Sequence, residues 1–169
     1  RSVTMVCGFR ALKDYRMKED NVREISRMLS AKPEESAQAV HRLQDEARMW
    51  KEKFIRAQSR AMEQILEKLP ESVENYVLFE EDVDKNVARR FVDEGKNKCS
   101  GICAIFVGND ENGYRYILGS KNVDLKAYSK AFHEALGGKG GGKGEMVQGT
   151  VPASEAEVRA LVLANCPAQ

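Results

Sequence analysis

The residues best placed to do chemistry lie in GGKGGGKGEMVQG, residues 137–149, where six of the first eight positions are glycine and the other two are Lys139 and Lys143. Glycine carries no Cβ, so such a run is either a flexible linker or a backbone that something must approach closely. Several amide N–H groups exposed in one concavity, with lysine charge beside them, bind phosphate. Arg115, Lys121, Lys126 and Lys130 bring residues 115–144 to six bases against only Asp124 and Glu134. In a chain of net charge +1, that is the local clustering a nucleic-acid surface requires. The run is not a P-loop, because neither Gly-Lys step is followed by Ser or Thr and no helix follows directly.

The remaining reactive side chains assemble no catalytic group. His41 is expected on the polar side of a long helix and His133 on a helix just before the glycines, both as surface residues. Cys7, Cys99, Cys103 and Cys166 are scattered and read as reduced thiols, with Cys103 in a core strand. Cys99-x-x-x-Cys103 lacks the second pair or nearby His that zinc needs. Two histidines support no Ser/His/Asp or Cys/His grouping. No catalytic residue, metal ligand or cofactor is therefore expected in this chain. Reduced thiols with no signal peptide in view make a cytoplasmic protein the expectation, and no apolar run approaches the roughly 20 residues of a membrane span.

The elements that must position the glycine run can be read from periodicity. Composition, 42% hydrophobic and 31% charged, is that of a folded chain. RSVTMVCG alternates like a strand, and because the chain opens on Arg1 it reads as a piece of a longer protein, with residues 1–10 closing a missing domain. Leu12, Tyr15, Val22, Ile25 and Leu29 mark a first helix from Ala11. Pro33, with Glu34 and Glu35, starts a second that runs to about Leu69. On it, Val40, Leu43, Ala47, Trp50, Phe54, Ala57 and Ala61 alternate spacings of three and four, a heptad seam that wants a partner helix. The first helix is the expected antiparallel neighbour but is too short to cover all of it. Trp50, Phe54, Ala57, Ala61 and Ile65 are left as a dimerisation stripe.

After Pro70 the texture changes. NYVLFE is strand-like, and Asp84 is placed to cap a helix with Val87, Phe91 and Val92 inward. GICAIFVGNDENGYRYILGS is a hairpin, and Asp124 caps another helix. The glycines follow as a loop, with Gly137 ending the helix, then a strand at MVQGTV. A last helix starts with the capping box of Ser154 and Glu157. The expected fold is α+β: a helical hairpin arm over 11–70, with a long coiled-coil-like helix, then a small α/β domain with a mixed sheet over 71–169.

LGGKGGGKGEMVQG resembles the glycine motif of the DHH-associated domain found at the C-terminus of alanyl-tRNA synthetases and of some free-standing alanyl-tRNA editing proteins. Gly137, Gly138, Gly140, Gly141, Gly142, Lys143, Gln148 and Gly149 match that pattern, and Val147 stands where the family prefers Ala. Residues 3–35, with Cys-Gly-x-Arg-Ala-Leu at Cys7 to Leu12, resemble the segment after the last zinc ligand of the free-standing editors. The resemblance implies a parent that hydrolyses Ser or Gly wrongly esterified to alanine tRNA, using zinc held by H-x-x-x-H and C-x-x-x-H motifs. Neither motif occurs here.

What the resemblance leaves to this chain is tRNA binding and homodimerisation without catalysis. Gly138 to Gly142 would offer N–H groups to phosphate or sugar, Lys139 and Lys143 would supply charge, and Lys121, Lys126 and Lys130 would extend the track. Such contacts would position RNA without reading its bases. The same domain class follows the catalytic domain of DHH phosphoesterases, which usually carry His after the glycines where this chain has Lys143 and Gly144. An accessory domain of that kind, or a dimerisation module that binds no RNA, are the alternative expectations.

Overall fold

Apolar side chains at every position from Cys103 to Val107 require a strand covered on both faces. The computed structural model, which describes residues 5, 7–70 and 73–164, places this strand inside the sheet. The elements are α1 (Gly8–Met28), α2 (Ser36–Lys68), β1 (Tyr76–Glu80), α3 (Lys85–Gly95), β2 (Cys103–Asn109), β3 (Gly113–Gly119), α4 (Leu125–Leu136), β4 (Lys139–Lys143), β5 (Met146–Val151) and α5 (Glu155–Ala164). The five-stranded sheet has the order β1-β2-β3-β5-β4, with β1 parallel to β2 and the other pairs antiparallel. It is the mixed sheet of an α+β fold.

The alternation of side chains separates two cores. Cys103, Ile105, Val107 and Ile117 pack with Val87, Phe91 and Val92 of α3 and with Met62 and Leu66 of α2. Ala104, Phe106, Tyr116 and Leu118 pack on the opposite face with Leu125 and Phe132 of α4 and Val158 of α5. The local signals act as expected. Asp84 accepts from the Asn86 N–H, Asp124 from the Lys126 N–H, and Ser154 exchanges bonds with Glu157. Gly137 ends α4 in the left-handed conformation at φ 67°.

The chain forms two compact units, Arg1–Lys53 and Phe54–Gln169, so the second takes in the last turns of α2 before the expected boundary at residue 71. Met62, Leu66 and Leu69 are the reason, since they bury themselves in the α3 core. Ile65, expected on a dimerisation stripe, packs partly against that same core, while Ala57 and Ala61 stay exposed. The buried edge of α2 is therefore a neighbouring stripe to the heptad seam.

In the first unit a 3₁₀ turn over Pro33–Glu35 precedes α2. Ser26 and Ser36 hydroxyls meet at 3.1 Å, and Ser26 and Ala39 are buried there. Leu12, Tyr15, Val22 and Ile25, expected to cover α2, are exposed, as are Leu43 and Trp50. Lys18 and Glu19 stand where that stripe would continue after Tyr15, leaving it too thin to close a seam. The strand expected over 1–10 lies largely outside the described residues, and Gly8 to Arg10 are the first turn of α1. Cys166 also lies outside the described residues. Among the described residues no helix is long and apolar enough to cross a membrane.

Candidate nucleic-acid interface

The glycine run is a strand, not the expected loop. Gly144 at φ 70° and Glu145 form a two-residue turn with glycine first, the type II′ geometry that matches strand twist, and they fold β4 onto β5. Pairing at Lys143·Met146 next to such a turn exchanges both backbone bonds, and the pattern then alternates along the ladder. The backbones of Lys139, Gly141 and Lys143 are thus turned to β5, and those of Gly140 and Gly142 to the open edge. No concavity of consecutive N–H groups forms. The backbone groups this edge leaves open are alternate amides, with lysines beside them.

Close approach explains the paired glycines. Gly140 faces Gly149 across the ladder, and a Cβ on either would lie 2.7 Å from the Tyr116 hydroxyl. That hydroxyl is hydrogen-bonded to His133 Nε2, so His133 is a packed, partnered residue and not the surface histidine expected. Burial pushes the Tyr116 phenol up to about 12. His41 is exposed. Cys99 and Cys103 are buried together, and the mutual hydrogen bond with burial drives the Cys103 thiol far above its ordinary range. Among the described residues no three His, Cys, Asp or Glu side chains gather as a metal would need.

Register places the charges. Val107, Arg115, Thr150 and Lys139 form one row across four strands, and Ile117, Gln148 and Gly141 the next. Gly119, Met146 and Lys143 form the row after that. All belong to the face that carries α3. Arg115, Lys139, Lys143 and Gln148, widely separated in sequence, are therefore brought to one surface. Lys85 of α3 lines a cleft with Arg115 and Gln148, and Arg89 lines a second with Lys143, Asp93 and Glu145, a contribution that sequence reading missed although their four-residue spacing sets both on one helical face. Lys85, Arg89, Arg115, Lys139 and Lys143 make no ion pair with a described carboxylate, whereas Lys96 is held by Asp93 and Glu145 and Arg90 by Glu63 and Glu94.

The rest of the expected track is elsewhere. Lys126 and Lys130 are on α4, against the opposite face, and Lys130 approaches Glu134 at 4.0 Å. Lys121 lies in the connection from β3 to α4. Gly137 is a helix cap, and Gly138 is a packing position, since a Cβ there would come within 3.0 Å of His133. The cleft between the start of α3 and the sheet has a volume of about 300 Å³, with Ala88, Val107 and Ile117 as its floor and Lys85, Arg115 and Gln148 at its rim.

Residues 59–165 match the DHHA1 domain family. An alanine–tRNA ligase of Magnetococcus marinus is 31% identical over 163 residues, 88% of this chain and 18% of the relative. One from Myxococcus xanthus is 28% identical over 90% of this chain and 18% of its own length. The chain thus spans less than a fifth of these relatives. A solved structure, the C-Ala domain of Aquifex aeolicus alanyl-tRNA synthetase, is 22% identical with a TM-score of 0.44, over 53% of this chain and 86% of that one.

Proposed function

We propose, from the premise that the chain belongs to the DHHA1 domain family, that it is the RNA-anchoring, non-catalytic part of an alanyl-tRNA synthetase or alanyl-tRNA editing protein. The observation that carries this reading is the set of cations Arg115 on β3 and Lys139 and Lys143 on the glycine-rich edge strand β4, brought to one face of the sheet and without carboxylate partners among the described residues. Such cations at a side-chain-free edge suit a phosphate backbone, which delivers repeated negative charge and needs close approach. The names of the curated relatives make tRNA, and alanine tRNA in particular, the partner of choice.

In this reading the removal of mischarged Ser or Gly, and the zinc it uses, belong to other residues of a cytoplasmic protein. No metal ligand and no hydrolytic step are assigned to the described residues, among which no three His, Cys, Asp or Glu side chains gather. Binding of labelled alanine tRNA, followed by fluorescence anisotropy across a salt series, tests the reading. An unrelated tRNA and a short single-stranded oligonucleotide serve as competitors. Affinity for folded tRNA that falls steeply with salt supports it, and absence of binding at low salt overturns it. Preference for the short single strand would move the chain to the phosphoesterase-associated branch.

A second role is favoured by the exposed stripe of α2. Trp50 is 63% and Phe54 52% exposed on α2, where Val40 and Leu43 of the same heptad seam are exposed too, the pattern of a surface that another copy of this helix covers. Homodimerisation through Trp50 and Phe54 is proposed beside RNA binding.

A further inference from the structure

We propose that the cleft between the start of α3 and strands β3 and β5 is a pocket for one unpaired nucleobase, so that this surface reads RNA as well as holding its backbone. The inference rests on the nucleic-acid reading above and adds a base contact to phosphate contacts that by themselves read no sequence.

The shape of the cleft follows from how α3 meets the sheet. At its C-terminal end α3 is tight, since a Cβ on Gly95 would lie 2.5 Å from Cys103 Sγ and one on Gly119 2.5 Å from Val92 Cγ1. At its N-terminal end a space of about 300 Å³ remains over the rows of Arg115 and Ile117. That is the lower end of the small-molecule range, too small for helical RNA and sufficient for a single ring system.

The lining selects among ligands. Phosphate alone has no use for a floor of Ala88, Val107 and Ile117, and a purely apolar ligand has none for Lys85, Arg115 and Gln148 at the rim. A flat heteroaromatic ring with an anionic tether uses both. Unstacked bases are commonly held between apolar groups and an Arg plane, with their polar edges bonded to side-chain amides. Arg115 and Gln148 supply those groups, and Lys85 supplies charge for the adjoining phosphate. Gly141 shares the row of Ile117 and Gln148 on the same face, and a Cβ there would meet nothing within 4 Å, so this side of Gln148 is open.

The test compares two labelled RNA hairpins, identical except that one bulged nucleotide is intact in the first and abasic in the second. Wild-type chain is expected to bind the intact hairpin about tenfold more tightly, the scale of a single base interaction. Gly141→Phe, which sets a ring beside Gln148 on the edge strand, and Gln148→Ala should bring the ratio of intact to abasic affinity to about one. Lys143→Gln should weaken both hairpins alike. The methyl resonances of Ala88, Val107 and Ile117 should shift with the intact hairpin and not with the abasic one. Equal, salt-dependent affinity for both hairpins overturns the pocket and leaves backbone binding standing. Failure to bind either at low salt overturns both.

Discussion

Gly140 and Gly149 face each other across β4 and β5, and the Tyr116 hydroxyl occupies the space that a side chain on either would need. The motif glycines therefore divide by role. Gly140 and Gly149 let the strands close beneath Tyr116 and His133, whereas Gly141 opens onto solvent. Gly140→Ala or Gly149→Ala is expected to destabilise the fold by about 1–3 kcal/mol, as overpacking does. Gly141→Ala should stay within about 0.5 kcal/mol of wild type. Urea midpoints of the three variants check this, and equal midpoints would contradict the assigned division.

Alkaline pH should reveal the buried phenols. Burial raises Tyr116 to about 12 from 10.0, and burial with the Asp110 bond raises Tyr114 likewise to about 12. The folded state holds these protons more tightly than the unfolded chain. Their contribution is complete below pH 10 and is lost as pH rises toward 12. Tyr116, the more deeply buried of the two, is worth on the order of 2 kcal/mol over that window. Tyr116→Phe should flatten part of the alkaline fall in urea midpoint, and an unchanged fall would show that this phenol does not titrate there.

The basic residues should separate by sheet face. Replacing Arg115, Lys139 and Lys143 with Gln should weaken tRNA binding and lower the salt slope by about 1 for each phosphate no longer neutralised. Lys126→Gln with Lys130→Gln, on α4, should leave both quantities near wild type. Anisotropy titrations at several salt concentrations distinguish the sets. A larger loss from the α4 pair would relocate the interface to the opposite face.

The two stripes of α2 should fail differently. Trp50→Asp with Phe54→Asp should shift the mass in light scattering from dimer to monomer while the helical signal persists. Leu66→Ala, inside the α3 core, should cost about 2–5 kcal/mol of stability with no direct effect on association. A wild-type chain that is already monomeric at working concentration would remove the dimer from the proposed function.

Local chemistry was legible in the sequence. The caps at Asp84, Asp124 and Ser154, the hairpin of β2 and β3, and the left-handed Gly137 depend on residues within a few positions of one another. Spacing reports such relations directly. The glycine motif was also visible, as was the excess of charge around it.

Tertiary structure alone decided what those glycines are and which cations stand with them. Polyglycine has no side-chain alternation from which a strand can be read, so β4 exists because β5 offers it a ladder. Arg115 joins Lys139 through register across β5, while Lys126, nearer to Arg115 in sequence, is carried by α4 to the other face. Lys85 enters the site because Val87 and Phe91 of the same helix seek the core. A strand turns successive side chains to opposite sides, and a sheet makes neighbours of residues distant in the chain. For that reason the residue types of the candidate interface were written in the sequence, but which of them share a face was decided by the sheet.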